Sequence, residues 1–145
     1  MDNVLIECVP NISEGRNLEI INSIVESAKQ VKGVKVLGCE PDSDYNRTVI
    51  TIAGDPFSVT KGAHAIILKS LELIDMSIHS GNHPRMGAVD VCPFVPLSDN
   101  SMKYCIQSAK DLSKLIGEKI PHFFYGEAAT SEQRVSLSSL RKMEY

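Results

Sequence analysis

Two repeat lengths alternate along the first two-thirds of this chain, and their order limits the folds it can take. Short β-branched apolar runs, suited to strands, are interleaved with longer segments whose apolar residues recur every three or four positions. Residues 3–9 (NVLIECV) read as a buried strand stopped by Pro10-Asn11, followed by a polar loop from Asn11 to Asn17. Asn17 caps a helix running to about Val31, with Leu18, Ile21, Val25 and Ala28 at helical spacing and Gly33 beyond its end. Val34–Cys39 and Thr48–Ala53 read as strands on either side of the acidic, turn-rich loop Glu40–Arg47. Asp55 caps a second helix with Pro56 at its first position, reaching about Asp75 and burying Val59, Ala63, Ile66, Ile67, Ser70 and Ile74. Ala88–Pro96 then reads as a fourth strand.

This order predicts an α+β fold, a ferredoxin-like βαββαβ sandwich with both helices on one face of an antiparallel sheet. Downstream, a helix starting at Asp99 or Ser101 carries Met102, Cys105, Ala109, Leu112 and Ile116 on one face. Ile120–Tyr125 reads as a short strand and Ser131–Arg141 as an amphipathic helix, so a helix–strand–helix follows the sandwich. No internal repeat or low-complexity linker divides the chain, and residues 1–145 are expected to form one domain.

The bulk charge excludes some classes of partner. A formal net charge of −3 offers no electrostatic attraction to nucleic acid or to an anionic membrane surface. No apolar run approaches the roughly 18–20 residues of a membrane span. The start, MDNVLIECVPN, lacks a basic leader and places Glu7 within its apolar run, so a cytoplasmic protein is expected. Cys8, Cys39, Cys92 and Cys105 form no C-x-x-C pair; free buried thiols fit a reducing compartment, with two disulfides as the alternative.

Polar chemistry concentrates in residues 78–94, IHSGNHPRMGAVDVCPF. His79 and His83 are four apart, a spacing that lets two imidazoles share a metal on a helix. Gly81, Asn82 and Pro84 all oppose that helix, and a third ligand would have to come from Asp90 or Cys92. His83 alone has two readings: a general base near neutral pH, or a group satisfying a buried carbonyl at a strand entrance. Arg85 is either a fork for a substrate carboxylate or an internal partner of Asp90. His64 and His122 read as structural. Glu40–Arg47 is either a solvated hairpin turn or an acid–base cluster at the end of a sheet. The chain contains no G-x-S-x-G elbow, phosphate loop or dinucleotide fingerprint.

Four blocks taken together resemble one family. ECVPNISEGRN (7–17), DYNRTVITIAG (44–54), LIDMSIHSGNHPRMGAVDVCPFVPL (73–97) and FFYGEAA (123–129) are similar to the N-terminal subdomain of the glutamate formiminotransferases. The resemblance implies transfer of a formimino group from N-formimino-L-glutamate to N5 of tetrahydrofolate, a step of histidine catabolism that feeds one-carbon metabolism. It puts the catalytic histidine at His83. The supporting acid falls at Glu40, where an aspartate is usual, with Asp42 as a nearby substitute. Asn46, Arg47 and Arg85 become candidate substrate-binding residues, the arginines for the glutamate or folate carboxylates. No metal is implied. In the family a second, similar subdomain follows and folate lies between the two, so this chain is expected to need that subdomain or a partner chain. A homodimer is also expected. The contrasting reading is a non-catalytic binding or assembly module that keeps the subdomain fold.

Overall fold

The computed structural model describes residues 4–74, 88–98 and 101–117. In chain order the elements are β1 (Ile6–Cys8), β2 (Asn11–Ile12), α1 (Leu18–Lys29), β3 (Lys35–Asp42), β4 (Arg47–Gly54), α2 (Pro56–Leu73), β5 (Val89–Val91), β6 (Phe94–Pro96) and α3 (Met102–Ile116). Among the described residues the architecture is α+β, a curled antiparallel sheet with three helices. The expected strand at 120–125 and helix at 131–141 lie outside the described residues.

Strand β4 organises the sheet. One of its edges carries β3, from Lys35 opposite Ala53 to Asp42 opposite Arg47, with a register shift between Val36 and Gly38. The other edge carries β1 and β2, which pair in turn with β6 and β5. Where one strand was expected at 3–9, the structure has the shorter β1, followed past Val9-Pro10 by β2; where one was expected at 88–96, it has β5 and β6, separated at Cys92-Pro93. Proline has no N–H to give to a ladder, so the pairing lapses at both places. Each proline still accepts: Ile50 N–H donates to the Pro10 carbonyl at 3.0 Å and Val9 N–H to the Pro93 carbonyl at 3.0 Å. The sheet therefore continues past the interruption, and Asn11-Ile12, expected in a loop, is strand.

A second correction concerns the hairpin. Glu40, Pro41 and Asp42 were expected in the loop, but they extend β3 opposite Val49, Thr48 and Arg47. Pro41 is tolerated because, among the described residues, β3 pairs only with β4 and lies at an edge.

The helix starts follow the sequence closely. Asn17 Oδ1 accepts from Glu19 N and Ile20 N at 3.1 and 3.2 Å, opening α1. Asp55 Oδ2 accepts from Ser58 N at 3.0 Å and Oδ1 from Ser58 Oγ at 2.6 Å, opening α2 with Pro56 just inside. Burial is the largest single influence and raises the Asp55 pKa, but the bonds from Ser58 and from the backbone N–H groups of Asp55 and Phe57 together outweigh it and hold the carboxyl below its ordinary value. Helix α1 buries Ile21, Ile24, Val25 and Ala28, whereas Leu18, expected on that face, is 60% exposed. A helical side chain leans toward the N-terminus, and at the first position that direction points past the helix into solvent. On α3 the buried residues are Cys105, Ser108 and Leu112, and Met102 is exposed for the same reason.

Inward side chains of the sheet (Ile6, Cys8, Ile12, Ile50, Ile52) join Ile21, Ile24, Val59, Ile66 and Cys105 of the helices in one apolar cluster. Each such isoleucine contributes about 1.5–3 kcal/mol by leaving water. Along β4 the burial alternates, with Thr48, Ile50 and Ile52 buried and the residues between them partly exposed. Directly opposed residues share a face, so the other side of the sheet carries two rows. Glu40, Val49, Asn11 and Val91 form one; Lys35, Ala53, Glu7 and Val95 form the other. None of these eight belongs to the apolar cluster.

Candidate functional site

The hairpin tip between β3 and β4 is shaped by Asp42, Asn46 and Arg47. Asp42 Oδ1 accepts from Asp44 N at 3.0 Å and from Tyr45 N at 3.2 Å, closing the turn from its side chain. Asn46 has a φ of 52°, a left-handed conformation that asparagine tolerates better than most residues. Its side chain is buried, and its Oδ1 accepts from Gly15 N at 2.9 Å. Arg47 starts β4 with its guanidinium carbon 5.0 Å from the centre of the Tyr45 ring, a cation–π contact.

The Ser13–Asn17 loop is clamped onto this tip. A Cβ on Gly15 would collide with the Asp42 carbonyl oxygen and with the backbone of Arg47, so only glycine permits the approach. Arg16 Nε donates to the Ser43 carbonyl at 2.8 Å, and Thr48 Oγ1 donates to the Glu14 carbonyl at 2.5 Å. The Glu14 carboxylate accepts from Arg16 N and Asn17 N, both at 3.1 Å, and so shapes the loop from within. From the other side, Ser13 N donates to the Ala88 carbonyl at 2.8 Å. Ala88 follows Arg85 by three residues and His83 by five in the sequence. One corner of the fold thus joins the NISEGRN loop, the hairpin tip and the residue that leads out of the HPRMG stretch.

Of the six candidate site residues, His83 and Arg85 lie outside the described residues, as does His79. The structure brings the other four into one hairpin. Glu40 is exposed on β3, on the sheet face away from the helices; Arg47 is half-buried at the start of β4. Asp42 and Asn46 hold the turn between them through the bonds just given. Sequence reasoning did not single out Glu14 or Gly15, which reach the hairpin from more than thirty positions away through Thr48 and Asn46. The one hint was the S-E-G-R-N run, whose glycine sits inside a stretch of turn formers. Among the described residues no three His, Cys, Asp or Glu side chains stand together as a metal site.

A family described as "Formiminotransferase domain, N-terminal subdomain" matches residues 5–145. The chain belongs to this family. The glutamate formimidoyltransferase of Streptococcus pyogenes serotype M1 is 40% identical over 143 residues, covering 97% of this chain and 48% of its own length. The Thermoplasma acidophilum protein of the same name is 44% identical, covering 97% of this chain and 47% of its own length. The formimidoyltransferase-cyclodeaminase of Dictyostelium discoideum is 44% identical, covering 99% of this chain and 27% of its own length. The chain therefore spans about half, or about a quarter, of these formiminotransferase relatives.

Proposed function

We propose that this chain is the N-terminal subdomain of a glutamate formimidoyltransferase and carries its general base, His83. The supporting observation is the 40–44% identity to two proteins of that name across 97% of the chain, with the HPRMG stretch inside the matched region. The finer fold is a ferredoxin-like βαββαβ sandwich, which the strand order β5-β2-β4-β1-β6 with β3 outside β4 supports.

Formimino transfer needs little beyond proton management and charge. N5 of tetrahydrofolate attacks the amidine carbon of formiminoglutamate, and a tetrahedral centre forms as the N5 proton leaves. His83 takes that proton and returns it to the glutamate nitrogen as the carbon–nitrogen bond breaks, so one imidazole serves both steps. A protonated amidine is the better electrophile, and the Glu40 carboxylate stabilises that cation. Arg47 and Arg85 take the glutamate and folate carboxylates. Asp42 and Asn46 bind through the turn they shape, which sets the direction of Arg47. The sheet face away from the helices, which bears Glu40 and Asn11, is the side on which the second subdomain, or a partner chain in a cytoplasmic homodimer, completes the folate site.

The test is formimino transfer from formiminoglutamate to tetrahydrofolate by the His83→Ala variant, with the second subdomain present. The proposal expects a loss of about 10²–10⁴-fold. Full activity in the variant would overturn it.

A further inference from the structure

Cys8 and Cys92 are 84 positions apart in the sequence, yet their sulfurs stand 3.4 Å from each other. Cys8 lies on β1 and is completely buried; Cys92 lies between β5 and β6 and is only half-buried. In the β1–β6 ladder Cys8 faces Phe94, which makes Cys92 its diagonal neighbour. The Val9–Pro93 backbone bond at 3.0 Å holds the two segments together between them. Both thiols are free, and formimino transfer as derived above uses neither.

We propose that Cys8 and Cys92 form a reversible intramolecular disulfide, an oxidant-sensitive cross-link between β1 and the segment that follows the HPRMG stretch. The division of labour follows from burial. Desolvation foremost, and then the neighbouring Cys92, push the Cys8 thiol pKa well up, so Cys8 does not meet oxidant as a thiolate. Cys92 is the less buried of the two and is therefore the sulfur that a small peroxide meets first. Its thiolate attacks the O–O bond, yielding a sulfenic acid and, after protonation, water. The Cys8 sulfur then attacks the Cys92 sulfur; the S–O bond breaks, and the departing oxygen leaves as water with the Cys8 proton. Two thiols are oxidised and one hydrogen peroxide is reduced to two waters. A dithiol reverses the bond by exchange.

The test uses the chain with Cys39→Ser, which removes the exposed thiol and with it intermolecular bonding. After treatment with hydrogen peroxide the protein is unfolded, alkylated and peptide-mapped. The expected product is a Cys8–Cys92 peptide pair lighter by two hydrogens, with Cys105 still alkylated and the bond reversed by dithiothreitol. Adding Cys92→Ser abolishes that product while the far-ultraviolet circular dichroism stays unchanged. Full alkylation of both sulfurs after a dose that oxidises Cys39 in the unsubstituted chain would overturn the proposal. So would a Cys8–Cys105 bond in its place.

Discussion

Gly15 and Asn46 show how much of the candidate site rests on single atoms. Gly15 meets backbone, which cannot rotate aside as a side chain would. Gly15→Ala should therefore cost at least about 2 kcal/mol, read as a lowered urea midpoint. Asn46 supplies both a tolerated left-handed φ and a buried acceptor. Asn46→Ala loses both, for roughly 2–4 kcal/mol, whereas Asn46→Gly keeps the backbone freedom and should lose clearly less. Equal losses in these two variants would show that the φ carries none of the effect. At Asp55 the expectation depends on pH. Its folded pKa lies below the ordinary value, so its contribution is complete above about pH 4 and fades as pH falls through the folded pKa. Stability measured from pH 6 down to pH 2 should fall more steeply in the native chain than in Asp55→Asn. Asp55→Ala should cost about 0.5–2 kcal/mol at neutral pH through loss of the cap.

At the scale of elements, α1 and α2 were legible because their starts are written locally: Asn17 and Asp55-Pro56 each satisfy the first free N–H groups with their own atoms or remove one. The strand ends were less legible, because a strand is completed by partners distant in sequence. Nothing near Asn11-Ile12 announces that β4 and β5 lie alongside, and nothing near Glu40-Pro41-Asp42 announces Val49, Thr48 and Arg47. Leu18 misled because helical period alone ignores where the helix begins. The burial alternates along β4 and makes a sharp contrast within one strand. Ile50→Ala should cost about 2–5 kcal/mol by opening a hole in the apolar cluster. Val49→Ala, one residue away on the other face, should cost under about 1 kcal/mol. Comparable costs from chemical denaturation would mean that both faces of the sheet are packed cores.

For the whole molecule, the sheet divides the chain into a packed side and a side bearing Glu7, Asn11, Lys35 and Glu40. Among the described residues no helix is long and apolar enough to cross a membrane. The family was legible in the HPRMG and DYNRT blocks, yet the clamp that holds the hairpin was not. That clamp is made by Gly15, Asn46, Glu14 and Thr48 across more than thirty positions, and no local pattern encodes such a contact. His83, proposed as the general base, is the residue on which the functional account stands or falls. The most direct measurement replaces the matched half of the Streptococcus pyogenes glutamate formimidoyltransferase with this chain and follows formimino transfer to tetrahydrofolate. With His83 in place the chimera should turn over, and with His83→Ala its rate should fall about 10²–10⁴-fold while the circular dichroism spectrum is unchanged. Equal rates in the two folded chimeras would contradict the account.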